Sequence, residues 1–226
     1  MDSVSDPRVS EVVVMSGSQL GKTELLLNIV GFHIAHDPAP ILVVQPTLEM
    51  ASAWSKDRLA NMLRDSPCLR DKVADPRSRD SGNTTLHKVF PGGHITIVGS
   101  NSPASMASRP IRIVLVDELD RCALSAGAEG DPIALARRRS ATFWNRKIIQ
   151  VSSPTLKGFS RIEEAYKRSS RNKYFIPCHS CGEMQNLEWK QVRWEENQPE
   201  TARYHCCKCD EPWTDADRIK ALSSGE

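Results

Sequence analysis

One turn constrains this chain more than any other stretch. Ser16-Gly17-Ser18-Gln19-Leu20-Gly21-Lys22-Thr23 lies between a short β-branched run, 11–15, and a segment with apolar residues at helical spacing, Leu26, Leu27, Val30 and Ile34. A strand that enters such a turn and leaves as a helix gathers backbone N–H groups in one place, where they attract an anion. Gly21 lets the backbone approach a phosphate closely. Lys22 has the reach for the β- and γ-phosphates of a nucleotide, and the Thr23 hydroxyl suits Mg²⁺. The common pattern has a glycine five residues ahead of Gly21; here Ser16 stands there and Gly17 follows it. A plain strand–turn–helix with an incidental Gly-Lys-Thr is the alternative, and the strand and helix on both sides of the motif weigh against it.

The same alternation continues downstream. Residues 41–44, 94–98, 111–116 and 147–151 read as buried strands, and 23–34, 49–63 and 132–140 as helices. Residues 71–85 are polar without periodicity and read as an excursion. Strands alternating with helices imply crossover units and a mostly parallel sheet covered on both faces, hence an α/β fold. From about Tyr174 the chain turns rich in Cys, Trp and charge, which predicts a boundary between a first domain, 1–172, and a small module, 173–226. No run approaches the ~18 apolar residues that span a bilayer, so no membrane partner is expected.

The run 111–116 delivers Asp117 and Glu118 to the carboxyl end of its strand, the side where open α/β sheets bind ligands. There Asp117 is placed to hold Mg²⁺ and Glu118 to orient an attacking water. Alone, such a pair is more often the start of a solvated loop; a phosphate loop upstream in the same pattern gives it meaning. Asp120 reads as an ordinary surface acid or a salt-bridge partner. Ser152 and Ser153 end the strand 147–151 and are candidates to contact a γ-phosphate, or else simply form the turn that ends the strand.

Net charge is only +2, so any nucleic-acid contact must come from local patches. Arg137, Arg138, Arg139, Arg146 and Lys147 form one, with Arg139 and Arg146 as candidates for an arginine that reaches a γ-phosphate in its own or a neighbouring subunit. A solvated helix face is the other reading. Arg161, Lys167, Arg168, Arg171 and Lys173 form a second basic stretch, offset by Glu163 and Glu164.

Seven cysteines are present, and the N-terminus is too polar for a secretory signal, which favours metal over disulfides. Cys178-x-x-Cys181 and Cys206-x-x-Cys209 supply four thiolates for a closed structural Zn²⁺ site. Their spacer, residues 182–205, is 24 residues long and compatible with a two-hairpin zinc ribbon. Cys207 could replace Cys206 with poorer spacing. His179 and His205 read as bystanders, Cys68 and Cys122 as ordinary cysteines. A module this small lacks a core of its own, and metal would fold it.

Taken in order, Ser18-Gln19-Leu20-Gly21-Lys22-Thr23, Gln45-Pro46-Thr47, Val116-Asp117-Glu118-Leu119-Asp120-Arg121, Gly130-Asp131-Pro132-Ile133, Val151-Ser152-Ser153-Pro154-Thr155 and Pro177-Cys178-His179-Ser180-Cys181-Gly182 resemble the lambda-type (GpA) family of phage terminase large subunits. The resemblance runs from about residue 11 to 220. It implies a RecA/ASCE-like P-loop NTPase that hydrolyses ATP with Mg²⁺ to drive double-stranded DNA into a preformed capsid. It also implies the small subunit and the portal protein as partners, a homo-oligomeric ring, and the cytoplasm of a bacterial host. It gives Lys22 and Thr23 the phosphate-loop roles and Asp117 and Glu118 the metal-holding and catalytic roles. Ser152-Ser153-Pro154 matches the motif that senses the γ-phosphate and passes its loss to DNA-gripping elements. Two departures stand out. Little chain precedes the first strand, where family members carry an adenine-contacting segment, and Glu226 falls before any nuclease domain, so cutting is not expected of this chain.

A helicase-like translocase shares the phosphate loop and acids but needs a second RecA-like domain, for which the residues past 172 are too few and too cysteine-rich. A nucleotide- or zinc-binding module without turnover is the third reading, separated from the others by measured hydrolysis.

Overall fold

The computed structural model describes residues 2–73, 82–102 and 110–226, which divide into two compact units, Met1–Ser169 and Ser170–Glu226. The expected excursion at 71–85 falls largely on 74–81, outside the described residues.

The first unit is built on a six-stranded sheet. Its strands are β1 (Glu11–Met15), β2 (Pro40–Gln45), β3 (His87–Phe90), β4 (Gly93–Gly99), β5 (Ile113–Val116) and β6 (Lys147–Ser152), in the spatial order β1-β6-β5-β2-β4-β3. All neighbours are parallel except β3 against β4. The antiparallel β3 was not expected from sequence. Its run His87-Lys88-Val89-Phe90 is short, carries two polar residues and lies at the sheet edge, where one partner suffices.

Successive strand residues feed two cores, as the period of two requires. Ile41, Val43, Ile95, Ile97, Ile113, Leu115, Ile149 and Val151 pack with Leu26, Ile29, Val30, Trp54 and Leu59 on one face. Leu42, Val44, Val98, Val114, Val116 and Ile148 pack with Ile133, Ala136 and Ile162 on the other. Helix Lys22–Ala35 and the helical run from Leu48 to Asp65 therefore cover one face, and helices Pro132–Arg139 and Arg161–Lys167 the other. The sheet is mixed in its edge and parallel in its body, an α/β architecture.

The run expected as one helix at 49–63 changes winding in its middle: Leu48–Ala53 and Ala60–Asp65 are α-helical, and Trp54–Leu59 is π-helical. Both Trp54 and Leu59 are buried. Residues five apart diverge on an α-helix and align where the turn closes at i+5, so the wider winding brings both into the core. Helix Arg161–Lys167 also lay unrecognised, because its sequence shows charges first. Its Ser160 N-cap accepts from Glu163 N–H, and its buried Ile162 and Ala165 form only a narrow apolar stripe.

The second unit holds a two-stranded sheet, β7 (Ile176–Pro177) with β8 (Met184–Gln185), and a three-stranded one, β9 (Val192–Glu195), β10 (Gln198–His205) and β11 (Pro212–Trp213). Helix Asp215–Leu222 closes it, started by a capping box between Thr214 and Asp217. Its core is small: Ile176, Tyr204, Trp213 and Ala221 beside two cysteines, Cys178 and Cys206.

Candidate functional site

At the carboxyl edge of the first unit's sheet, each inner strand ends in a buried polar residue. Gln45 ends β2, Ser100 follows β4, Asp117 follows β5 and Ser152 ends β6, and all four are at most 5% exposed. An apolar strand that turns polar at its last residue needs partners there, because a buried polar group without one costs about 1–3 kcal/mol. The partners are one another's loops. Ser100 Oγ donates to the Pro46 carbonyl and accepts from Ala123 N–H, both at 2.8 Å.

The 16–23 turn, expected from sequence to hold phosphate, runs from Ser16 into helix Lys22–Ala35. Gly21, at φ 79°, is the residue ahead of the helix and caps it with no side chain. A Cβ there would meet no atom but would sit on left-handed backbone, so glycine is needed for conformation rather than for room. With no side-chain acceptor at the cap, the first-turn N–H groups are left to an external acceptor. Gln19 shares the left-handed backbone at φ 60°, and Gly17, Ser18, Gln19 and Leu20 are exposed around the rim. Ser16 N–H donates to the Ser152 carbonyl at 3.3 Å, which ties the loop to β6.

Lys22 points back across its own loop. It is buried, and its ammonium donates to the Gly17 carbonyl and to Ser153 Oγ, each at 2.8 Å. The lysine of the turn and the serine pair after β6 are thus brought together. This follows from the strand order, in which β6 lies between β1 and β5. Thr23 follows on the first helical turn, partly buried.

Asp117 is buried at the end of β5. Gln45 Nε2 donates to its Oδ2 at 3.1 Å, and the Glu118 N–H donates to its Oδ1 at 3.0 Å. Burial pushes its carboxyl above the ordinary range; the Gln45 bond opposes this and neighbouring Glu118 adds to it. Gln45 was not singled out as a site residue. The signal was present, a glutamine closing the apolar run Pro40-Ile-Leu-Val-Val-Gln45. Glu118 is half-buried and sits at φ 45°, a left-handed conformation that is costly for a residue with a Cβ. Asp120 is not the ordinary surface acid expected. Its carboxylate accepts from Thr155 and Ile162, and its N–H donates to Ser152 Oγ.

Arg139 is not brought to this site. Its carbonyl accepts from Ile111 N–H, ahead of β5, whereas Asp117 follows the strand. The separation along an extended chain is about 20 Å at ~3.3 Å per residue, so Arg139 has no path to a phosphate held by its own loop. Arg146 immediately precedes β6 and lies at the same amino-terminal edge. Nor is Arg137 available to DNA as one of a trio, since it forms a bidentate pair with Glu11. In the second basic stretch Arg161 pairs with Asp131, and Lys167 with Glu163 and Glu164.

In the second unit the sulfurs of Cys178, Cys181, Cys206 and Cys209 all lie within 4.8 Å of one another. Cys178–Cys209 and Cys181–Cys206 are each 3.8 Å apart. That is about the edge of a tetrahedron with zinc–sulfur bonds of ~2.3 Å. Cys206 rather than Cys207 joins the cluster; Cys207 is exposed and donates its N–H to Gln185 Oε1. The Ser180 N–H donates to Cys178 Sγ, and the Lys208 N–H and Gln185 amide donate to Cys206 Sγ, all at 3.4 Å. Burial alone would raise the Cys206 thiol, but the N–H groups of Cys209, Lys208 and the Gln185 amide outweigh it and bring it to about 6. His179 meets Trp213 edge-on, and His205 faces the Asp210 carbonyl, so neither joins the sulfurs. In the first unit burial pushes the Cys122 thiol up to about 12, so it stays protonated.

A mostly parallel sheet covered on both faces, with its buried polar residues gathered at the carboxyl edge, makes this an α/β protein whose candidate site lies at that edge. The model of the family described as "Phage terminase large subunit gpA, ATPase domain" matches residues 1–226, and the chain belongs to that family. The terminase large subunit of Enterobacteria phage P21 is 26% identical over 215 residues, or 91% of this chain and 33% of that protein. That of Escherichia phage lambda is 24% identical over the same shares. The chain therefore spans about a third of the length of these curated relatives. A solved large-terminase ATPase domain from Thermus phage P74-26 superposes with a TM-score of 0.49 at 15% identity, over 66% of this chain and 62% of that one. Among the described residues no helix is long and apolar enough to cross a membrane.

Proposed function

We propose that this chain binds Mg-ATP at the carboxyl edge of its first sheet, hydrolyses it, and uses the energy to move double-stranded DNA into a capsid. One observation carries the reading: the Lys22 ammonium sits between the Gly17 carbonyl and Ser153 Oγ. Both contacts are ones a triphosphate would replace or join, and the uncapped helix start behind Lys22 supplies further donors to the same anion.

The residues fit the group. The N–H groups of the 16–23 turn hold the phosphates, and Lys22 neutralises the β- and γ-oxygens. Thr23 and Asp117 are the hydroxyl and carboxylate that would hold Mg²⁺, in the arrangement of a RecA/ASCE-like P-loop NTPase. The metal, when bound, supplies positive charge to the phosphoryl group. Glu118, on its strained turn, orients and polarises the attacking water. Ser152 and Ser153 contact the γ-phosphate end and register its loss. Arg139 and Arg146 have no role in their own subunit's site; an arginine finger from either acts only on a neighbour, which calls for a homo-oligomeric ring.

The four cysteines hold a structural Zn²⁺ in a zinc-ribbon-like module. Four thiolates leave no open position for catalysis. By family, double-stranded DNA, a small subunit and a portal protein are the partners, met in the host cytoplasm. A motor needs only backbone contacts to DNA, which position without reading sequence.

The test is Mg-ATP turnover per subunit against protein concentration, with and without duplex DNA, with Lys22→Ala as control. Turnover that rises with concentration or DNA and disappears in the variant supports the reading. Turnover no higher than the variant's at every concentration overturns it.

A further inference from the structure

Asp120 stands two residues past the acidic pair and touches everything around it. Its Oδ2 accepts from both the N–H and the hydroxyl of Thr155 at 2.9 Å. Its Oδ1 accepts from the Ile162 N–H at 2.8 Å, in the first turn of helix Arg161–Lys167. Its own N–H donates to Ser152 Oγ at 3.2 Å. Burial pushes its carboxyl up, but hydrogen bonds from Ser160, Ile162 and Thr155 outweigh that and hold it below the ordinary range. It is therefore an anion at neutral pH, and bonds to an anion are stronger and stiffer than neutral ones.

We infer that Asp120 is a positioning residue, whose carboxylate clamps the turn carrying Glu118 to the serine segment after β6, so that the two move as one body. The inference rests on the ATPase reading for its catalytic consequence, but not for the clamp itself. Glu118 sits at φ 45°, and such backbone persists only where its surroundings over-determine it. Upstream the turn is anchored by the Glu118 N–H on Asp117 Oδ1. Downstream the anchors are those of Asp120. The connections also form an unbroken path: Lys22 bonds Ser153, Ser152 precedes it in sequence and accepts from Asp120, and Asp120 lies two residues from Glu118. A change at Lys22 or Ser153 is thereby felt at the acid and, through Ile162, at the helix before the second unit. Without the clamp the left-handed turn relaxes and Glu118 leaves its water.

Asp120→Asn in the whole chain keeps the size and one carbonyl oxygen but turns an NH₂ toward the Thr155 or Ile162 donors. Turnover at saturating Mg-ATP is expected to fall at least about tenfold. The Kd for a fluorescent ATP analogue is expected to stay within about twofold, because the phosphate loop is untouched. Thr155→Val, which removes one hydroxyl donor and keeps the backbone, is expected to do the same more mildly. Amide exchange at Thr155 and Ile162 is expected to rise in Asp120→Asn with or without nucleotide. Unchanged turnover refutes the inference, and so does a joint loss of turnover, nucleotide affinity and thermal midpoint. If the wild type shows no more turnover than Lys22→Ala, the ATPase reading fails and amide exchange decides the clamp. Unchanged exchange at both positions refutes it.

Discussion

Replacing Gln45 with leucine tests the buried end of the site. The Gln45 amide donates at 3.1 Å to an Asp117 that is 5% exposed. Leucine fills nearly the same space and removes the donor. A hydrogen bond to a charged group contributes about 1.5–3 kcal/mol. Burial already raises the Asp117 carboxyl, and losing the Gln45 donor, which opposes that rise, would raise it further. The cost is met when Asp117 must be an anion, as Mg²⁺ binding requires. At 1.36 kcal/mol per factor of ten, Mg²⁺ dependence or turnover should worsen by about 10- to 150-fold. The assay is turnover against free Mg²⁺ at saturating ATP, with circular dichroism to confirm the fold. The half-saturating Mg²⁺ concentration should rise while the Kd for nucleotide without metal stays constant. If Gln45→Leu matches the wild type within about twofold in both Mg²⁺ dependence and turnover, Asp117 is not a metal-holding carboxylate and the reasoning is refuted.

Further outcomes are expected. Metal analysis of the purified chain should find one zinc; Cys206→Ser should lose it and Cys207→Ser should keep it, and equal retention by both would rule out the four-sulfur site. Arg139→Ala should leave the Kd for a fluorescent ATP analogue unchanged, because Arg139 lies at the opposite edge of the sheet from Lys22; a tenfold rise would place it at its own subunit's nucleotide. Ile149→Ala, at a position with no exposure between two covered faces, should cost about 2–5 kcal/mol in urea melts. His33 is buried, and burial lowers its pKa below 6.5, with the Asp37 carbonyl opposing and Arg112 adding. The folded state then binds its proton less readily than the unfolded one, so stability falls as pH drops through 6.5 and below. Thermal midpoints between pH 7.5 and 5.5 should fall less steeply in His33→Asn.

The body of the fold was legible because its signal is local. Runs such as Ile113–Val116 are apolar throughout, as strands buried on both faces must be, and Gly-Lys-Thr stands where a strand meets a helix. Lys22, Asp117 and the four metal-spaced cysteines could be singled out for the same reason: each belongs to a short motif at a fixed offset. Gln45 and Asp120 stood inside such motifs, Gln45 as the polar close of an apolar run, but their roles could not be read there. Their importance comes from partners far off in sequence, Gln45 with Asp117 and Asp120 with Thr155 and Ile162, and no periodicity encodes a pairing. The place of Arg139, away from its own subunit's candidate site, was hidden for the converse reason. A basic cluster shows in the sequence, but which edge of the sheet it faces depends on which end of the strand its helix returns to, and that is a property of the crossover.

Strand order explains why these particular residues converge. With β6 between β1 and β5, the chain leaving β6 emerges between the phosphate loop and the acidic turn. Two serines there can bond to both neighbours, and they do: Ser153 accepts from Lys22 on one side, and Ser152 accepts from the Asp120 N–H on the other. Were β1 paired directly with β5, Lys22 would face Asp117 across one strand spacing of about 4.8 Å, and the ion pair would close on itself with no third element to register what lies between. The inserted strand sets β1 and β5 about twice that distance apart and places hydroxyls between their ends, which can exchange a lysine for a phosphate oxygen without a change of charge. On the proposed ATPase reading, such a site would register the departure of one phosphate, because its middle partner is neutral and is held on both sides.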